Sequence, residues 1–356
     1  MKVELEASTE SKTLESKDKV INKTTSVNTT SVASNLNQEI VCNKKQEHTA
    51  DILFKYFVLG FGFLVVVVTF LLAYELVSNS QLAWKKFGLS FLWSTSWDPV
   101  AEIFGALPFI YGTIVSSALA LIISVPLGVG SAIFLSEIAP KKISNVCTFL
   151  IEILAAIPSV VLGIMGIFIL VPAVRFFEPF LDKYLGFIPF FRGAPIGVGL
   201  LASGLILSLM ILPYITSISR DVLKAVPRSL KEGALALGAT HWETIKIVSL
   251  PYARSGIIGA IFIALGRAVG ETMAVTMVIG NTPKISLSLL DPSYTMASVI
   301  ANELAEATSD LYVHSLIAIG LVLFLITFVV NAMARFMIHH LTLRERGQSG
   351  KAFSKA

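Results

Sequence analysis

The stretch PRSLKEGALALGATHWETIKIVSLP, residues 227–251, is a charged interruption between two long apolar segments. The segment before it, 193–219, carries no charged residue, and the segment after it, about 253–280, is mostly apolar but contains Arg267 and Glu271. Each segment is long enough to cross a bilayer as a helix, which requires ~20 residues. The pattern predicts a polar loop that joins two membrane spans.

The rest of the chain repeats this alternation of apolar segments and short polar loops. Of the 356 residues, 54% are hydrophobic and 15% are charged, and the mean hydropathy is +0.75, whereas about a quarter of the residues of a soluble domain are charged. Four further segments of spanning length carry no charge: 56–74, 103–136, 153–174 and 311–334. Because hydrocarbon requires internally satisfied backbone hydrogen bonds, we predict an all-α integral membrane protein with six transmembrane helices.

The two ends of the chain differ in composition from its middle. Residues 1–50 are rich in Ser, Thr, Asn, Lys and Glu and contain no apolar core typical of a cleaved signal peptide. We therefore predict a disordered cytoplasmic tail over 1–50, a transmembrane domain over 51–345 and a cytoplasmic tail over 346–356. Lysine and arginine are concentrated near 137–145, in 220–252 and after residue 335, which places both termini in the cytoplasm by the positive-inside rule.

The sequence lacks the common catalytic and cofactor motifs. It contains no G-x-x-x-x-G-K-[ST] phosphate loop, no G-x-S-x-G elbow and no H-E-x-x-H pair. Its two cysteines are not accompanied by clustered histidines, so we expect neither a metal site nor a cofactor in this chain. The chain is not expected to be an enzyme, and any energised function would depend on ATP hydrolysis by another subunit.

The 227–251 stretch predicts a short helix from residue 229 to residue 237. Ser229 and Glu232 are spaced as a capping box, and Gly238 follows where a left-handed cap would end the helix. Pro251 suits the first turn of the next membrane span. From the pattern alone, the helix is either an amphipathic connector or a docking element for a partner.

Arg267 and Glu271 are charged residues within the fifth predicted span. On a continuous helix they would share a face at i and i+4 near mid-membrane, where a single charge costs ~2.5–3.5 kcal/mol on insertion scales. One interpretation is a buried ion pair that holds helices together. The other is an anion path in which Arg267 binds the anion, Glu271 holds Arg267 in its absence, and Thr272 and Thr276 donate hydrogen bonds. The two threonines could instead bond back to their own helix.

The same residues resemble the permease subunits of binding-protein-dependent ABC importers. In that family, the EAA loop reads E-A-A, three residues, G, nine residues, then I-x-L-P. The positions in this register are Glu232, Gly233, Ala234, Gly238, Val248, Leu250 and Pro251. Gly233 replaces an alanine of the pattern and Val248 an isoleucine. The resemblance implies a type I (MetI-like) permease fold in which this short helix docks into an ATP-hydrolysing subunit.

The arginine segment, GRAVGETMAV (266–275), resembles the phosphate importers of the Pst type, and in particular the PstC permeases. Two upstream segments, FGALPFIYGTIVSSALALIISVPLGVGSAIFLSE (104–137) and EILAAIPSVVLGIMG (152–166), also resemble that family. This resemblance implies a phosphate permease of the bacterial plasma (inner) membrane. Its partners would be a second permease (PstA-like), two ATP-binding subunits (PstB-like), an extracytoplasmic phosphate-binding protein (PstS-like) and the lipid bilayer, without nucleic acid. The alternatives are a molybdate or sulfate permease of the same type and an ion-coupled secondary transporter.

Two further features each allow two interpretations, and a third predicts a bend. Glu152 is either an interfacial charge at the inner end of the third span or part of an inner mouth. Pro158 and Gly163 are expected to bend that span. The aromatic residues of 82–97 are either a membrane-interface belt or a docking surface for an external binding protein.

Overall fold

The computed structural model describes residues 51–353, with side chains for residues 51–340 other than residue 185. Six helices in this range are long and apolar enough to cross a membrane, which confirms the predicted number of spans. The spans are Asp51–Phe87, Leu107–Ile138, Ser159–Tyr184, Leu200–Lys224, His241–Gly270 and Asp310–His340. Within the described part of the chain, extended pairing is limited to one isolated bridge between Asp98 and Ile103. The predicted tail 1–50 lies outside the described residues.

The helices are numbered here in chain order. The first half contains α1 (Asp51–Phe87), α2 (Ser90–Trp93), α3 (Leu107–Ile133), α4 (Lys141–Ala156), α5 (Ser159–Met165) and α6 (Val171–Leu185). The second half contains α7 (Leu200–Lys224), α8 (Arg228–Ala236), α9 (His241–Thr244), α10 (Leu250–Gly270), α11 (Met273–Thr276), α12 (Met296–Glu303) and α13 (Asp310–Phe353). We refer to the side of the membrane that carries residues 227–251 as the loop side, and to the other as the far side.

Three spans contain a five-residue π-helical turn in addition to α-helix, and a 3₁₀ turn lies between two spans. A π-turn at Phe134–Ile138 extends α3, a second at Gly166–Leu170 joins α5 to α6, and a third at Ile245–Ser249 joins α9 to α10. A 3₁₀ turn at Pro189–Phe191 follows α6. The helix α13 runs on to Phe353, so residues 346–353 of the predicted C-terminal tail are helical.

Residues 51–72 of α1 form a unit separate from residues 73–356. Nearly all side chains of this unit are exposed, and they are overwhelmingly apolar, as lipid contact requires. The apolar exposure of α1 is consistent with its assignment as a membrane span.

The third span begins later than the sequence indicated. The helix α4 is separate, and the chain becomes extended at Ile157 and Pro158 before α5 starts at Ser159. Glu152 therefore lies on α4, where it is exposed, and not within the span. Pro158 interrupts the helix, because its ring clashes with the preceding turn and it lacks the N–H that a helical hydrogen bond requires. Gly163 lies against α11, since an added Cβ would come 3.1 Å from the Ala274 Cα and 2.6 Å from the sulfur of Met277, which follows α11.

The centre of the fold is the packing of α3 against α7. Small residues allow the close approach: an added Cβ on Gly204 of α7 would lie 2.4 Å from a side-chain carbon of Leu119 on α3. The same holds for Gly128 of α3, whose Cβ would lie 2.8 Å from Ile215 on α7. Close backbone approach through small residues is how membrane helices gain packing energy, because hydrocarbon supplies no hydrophobic driving force between them.

Most aromatic residues of 82–97 pack into a core, which neither the interface belt nor the docking surface had included. Phe91 is fully buried, and Trp97 stacks edge-on against Phe104 and Phe109 at ring distances of 4.8 Å in each case. The Trp97 indole N–H and the Tyr312 hydroxyl both donate to the Glu303 carboxylate, at 2.8 and 2.6 Å. Trp93 differs from this group because 74% of it is exposed.

Candidate translocation and coupling sites

The predicted fifth span, about 253–280, is not one continuous helix, and the helix is broken next to the charged residues. The helix α10 ends at Gly270, and Glu271 is extended with ψ of 126°. The short helix α11 then carries the chain on, and the Gly199 N–H, at the far-side end of α7, donates to the Val278 carbonyl. The expected i, i+4 arrangement of Arg267 and Glu271 on one continuous helix is therefore wrong. No proline marks the break, so helical periodicity gave no sign of it.

Arg267 lies on the last turn of α10, beside the middle of α7. Its guanidinium carbon is 4.7 Å from the ring centre of Tyr214. Tyr214 is the fifteenth of the 25 residues of α7, which places it ~21 Å from the far-side end of that helix at 1.5 Å per residue. A cation over an aromatic face gains ~0.5–2 kcal/mol. The carbonyl end of α10 also favours the positive charge.

The Arg267 side chain is exposed, and among the side chains that the structure describes it forms no ion pair with an acidic residue. Across residues 51–340, ion pairs join Lys86 to Glu102, Arg220 to Asp221, Lys231 to Glu137 and Lys284 to Asp291, and none includes Arg267. Glu271, partly exposed, forms no ion pair with it in that range. The interpretation of Arg267 and Glu271 as a buried structural ion pair is therefore not supported by a contact between them within residues 51–340.

The two threonines bond to nearby backbone. The Thr276 hydroxyl donates to the Thr272 carbonyl at 2.7 Å, and the Thr272 hydroxyl to the Gly270 carbonyl at 3.3 Å. Both side chains are partly exposed, and the Asn281 amide donates to the Thr276 carbonyl at 3.0 Å. The bonds match the back-bonding alternative, in which the hydroxyls stabilise the turn that follows the break.

The loop-side helix α8 forms where it was predicted but is capped differently. It starts after Pro227 without a side-chain cap, so the predicted box of Ser229 and Glu232 is wrong. A capping box occurs instead at the start of α9, where the Thr240 hydroxyl accepts from the Glu243 N–H. Gly238 has φ of +89°, which confirms the left-handed C-cap that ends α8.

The surface of α8 is open. It has no buried residue: Glu232 and Gly233 are exposed, Ala234 is partly buried, and Leu237, just beyond the helix, is 91% exposed. Leu230 and Leu235 of α8 are also exposed, and several exposed apolar side chains on one segment mark a candidate interaction surface. Leu250 opens α10 and Pro251 lies in its first turn, as predicted.

Two lysines of this segment have defined contacts within the chain. The Lys231 ammonium lies 2.7 Å from the Glu137 carboxylate, at the loop-side end of the second span. The Lys246 ammonium lies 5.8 Å from the ring centre of Trp242.

Sequence reasoning missed two side chains at these sites, Tyr214 and Glu137. Tyr214 follows Pro213 in an apolar segment, and nothing in the spacing of residues relates it to Arg267, 53 positions later. Glu137 was visible as the acid that ends a charge-free segment, but its partner lies 94 positions away. Tertiary packing alone brings these pairs together.

Comparison with known proteins identifies the family of the chain. Residues 124–342 match the family described as "Binding-protein-dependent transport system inner membrane component". A protein of Mesorhizobium japonicum named "Phosphate transport system permease protein PstC" is 49% identical over 286 residues, which are 79% of this chain and 88% of that protein. A protein of the same name from Xylella fastidiosa (strain 9a5c) is 43% identical over 301 residues, 83% of this chain and 93% of that protein.

A solved structure supports the fold independently. A bacterial ABC transporter involved in the import of the acidic polysaccharide alginate is similar with a TM-score of 0.51 and 18% identity. The similarity covers 74% of this chain and 89% of that chain. The match over most of the permease, the six spans and the sequence relatives agree, and the chain belongs to the PstC family of ABC importer permeases, multi-pass membrane subunits with the MetI-like fold.

Proposed function

We propose that this chain is the membrane subunit of an ATP-driven importer that moves inorganic phosphate into the cell. The observation that carries the proposal is the similarity over most of the chain to proteins named as phosphate transport system permeases. That similarity does not favour the molybdate or sulfate alternative, nor an ion-coupled secondary transporter. The chain itself contributes no nucleotide site and no cofactor, and its two termini lie in the cytoplasm.

The partners follow from the surfaces that the chain leaves open. The helix α8 and Leu237 dock into one of two ATP-binding subunits (PstB-like) on the cytoplasmic side, which is the loop side. A second permease (PstA-like) pairs with this chain, and an extracytoplasmic phosphate-binding protein (PstS-like) delivers the anion from the far side. The 91% exposure of Leu237 supports a docked partner, because a leucine in that setting gains free energy when it is covered.

Arg267 lines the anion path. A charged group at mid-membrane depth is costly unless it faces the interior of the bundle or a water-filled cavity. Because Arg267 is exposed on this chain and stacks on Tyr214, its open side faces the space that the second permease closes. Its planar fork can donate two parallel hydrogen bonds to a phosphate. Binding there is weak, because a transport path must release its ion.

Closure of the ATPase subunits moves α8 and switches the path from the far side to the cytoplasm. Glu232, Gly233 and Ala234 lie on the docking face, and Gly238 ends the lever. Leu250 and Pro251 begin the helix that carries Arg267, so displacement of α8 reaches the anion path through one continuous rod.

The path is tested by phosphate uptake in cells that carry Arg267→Gln or Arg267→Lys. We expect the glutamine variant to lower uptake at least tenfold and the lysine variant to retain part of it, since lysine keeps the charge without the fork. Arg254→Gln is the matched control, because Arg254 is an exposed arginine near the start of the same helix. Unchanged uptake by Arg267→Gln, at normal membrane levels, refutes the path. Uptake of molybdate or sulfate in preference to phosphate refutes the substrate.

A further inference from the structure

The helix α8 is linked to the spans of this chain in two ways. The backbone joins it to α7 on one side and, through α9, to α10 on the other. The second span, α3, has no such covalent connection. Its link to α8 is the ion pair in which the Lys231 ammonium donates to the Glu137 carboxylate at 2.7 Å.

This ion pair is shielded, unlike the rest of α8. The side chains of Lys231 and Glu137 are 20% and 10% exposed, whereas the other residues of α8 are exposed, apart from the partly buried Ala234. A charge-assisted hydrogen bond in such a setting is stronger and less screened by salt than one at an open surface. It can therefore carry a displacement that a solvated lysine could not.

Glu137 lies in a turn that is connected to two helices, α3 and α4. It belongs to the π-turn Phe134–Ile138, which continues α3 without interruption. In the same turn, the Leu135 carbonyl accepts a hydrogen bond of 2.8 Å from the Ser144 hydroxyl of α4. Leu135 is 4% exposed, so the turn is packed. Movement of Glu137 consequently moves the loop-side ends of both α3 and α4.

We propose that Lys231 and Glu137 form a strut that transmits the displacement of α8 to the second span. The inference rests on the proposed function, and it adds two positioning residues to the coupling machinery. Without the strut, closure of the ATPase subunits moves α7 and α10 through the backbone, but the loop-side end of α3 is no longer pulled by α8. Because α3 and α7 are closely packed at Gly204 and Gly128, such unequal movement opposes opening. ATP is then hydrolysed without transport.

The experiment measures phosphate uptake and ATP hydrolysis together, in liposomes that contain the complete transporter with its binding protein. The variants are Lys231→Glu, Glu137→Lys and the double exchange of both. We expect each single variant to lower the phosphate moved per ATP hydrolysed at least tenfold while hydrolysis continues. The double exchange restores more than half of the original ratio, because the pair is remade with its charges reversed. Lys141→Glu, the same charge change at an exposed site at the start of α4, leaves the ratio unchanged.

A ratio that stays at the original value in both single variants overturns the strut. So does a double exchange that remains as low as the single variants, or an equal loss of uptake and hydrolysis. If the reversed charges prevent assembly, Glu137→Gln removes the charge with little change in shape, and an unchanged ratio in that variant also overturns the strut. Failure of the proposed function is distinct, because the unaltered transporter then shows no ATP-dependent phosphate uptake at all.

Discussion

Two glycines in the 227–251 stretch are expected to respond in opposite ways to substitution by alanine. Gly233 lies inside α8, whereas Gly238 ends it with φ of +89°. A Cβ added at either position has no atom within 4 Å, so neither alanine causes a clash. The difference between the two variants therefore comes from backbone conformation alone.

The size of each effect follows from that conformation. Alanine in the left-handed region costs ~1–2 kcal/mol, so Gly238→Ala destabilises the folded segment by that amount. Alanine in place of glycine inside a helix gains ~0.5–1 kcal/mol, so Gly233→Ala stabilises α8. Since 1.4 kcal/mol is a tenfold change, opening of α8 becomes ~5–30-fold more frequent in Gly238→Ala and ~2–5-fold rarer in Gly233→Ala.

Hydrogen exchange followed by mass spectrometry measures this opening directly. The amides of residues 228–238 exchange through local opening, because α8 contains no buried residue that would tie it to global unfolding. Peptides from α12 serve as an internal control and are expected to exchange alike in all three proteins. Exchange that changes in the same direction in both variants, or that is unchanged in Gly238→Ala, refutes the assignment of Gly238 as the left-handed cap.

Three further predictions concern the far-side half of the molecule. Gly112→Ala lowers the melting temperature of the detergent-solubilised protein, because the new Cβ would lie 2.1 Å from the Tyr294 carbonyl oxygen. The loss of stability is about 3 kcal/mol, at the upper end for overpacking. Gly130→Ala on the same helix is the neutral control, because its new Cβ would have no atom within 4 Å. Glu303→Gln weakens the two charge-assisted hydrogen bonds that the Glu303 carboxylate accepts, and destabilises the protein by about 1–3 kcal/mol. The effect is measured as a lower melting temperature with altered tryptophan fluorescence. An unchanged melting temperature would contradict these hydrogen bonds. Burial raises the pKa of Tyr294 from 10.0 to about 12. The stability that neutral Tyr294 contributes is therefore full below pH 10 and is lost as the pH rises to about 12. Over this pH range the melting temperature should fall less in Tyr294→Phe than in the unaltered protein, and equal falls would rule out the burial effect.

The sequence predicted the spans well because a bilayer imposes a simple rule. Any helix that crosses hydrocarbon needs an apolar run of sufficient length, and six such runs are present. The break after Gly270 was not predictable by the same rule, since Glu271 and Thr272 continue a segment of the right length. The break is stabilised by backbone bonds to distant residues, such as the bond from the Gly199 N–H to the Val278 carbonyl.

Capping shows a different limit of sequence reasoning. Two Ser/Thr-x-x-Glu patterns occur in the 227–251 stretch, at Ser229 and at Thr240. The first is not used, because Pro227 already sets an extended backbone and α8 begins one residue before Ser229. The second forms a complete capping box. Both fit the local rule, and the position of proline decides between them.

For the proposed anion path, the break after Gly270 means that Arg267 and Glu271 need not move together, as they would on a continuous helix. From Leu250 to Arg267, α10 contains no proline beyond its first turn, so it moves as a rod ~26 Å long. Beyond Gly270, the chain is bonded to the far-side end of α7 through Val278, and an added Cβ at Gly270 would have no atom within 4 Å. A tilt of the rod at its loop-side end therefore shifts Arg267 while the segment after Glu271 stays with α7. If Arg267 lines the anion path as proposed, a tilt that changes the distance between the guanidinium and the Glu271 carboxylate would also change the affinity of the guanidinium for the anion, because a nearby carboxylate competes with the anion for the same donors.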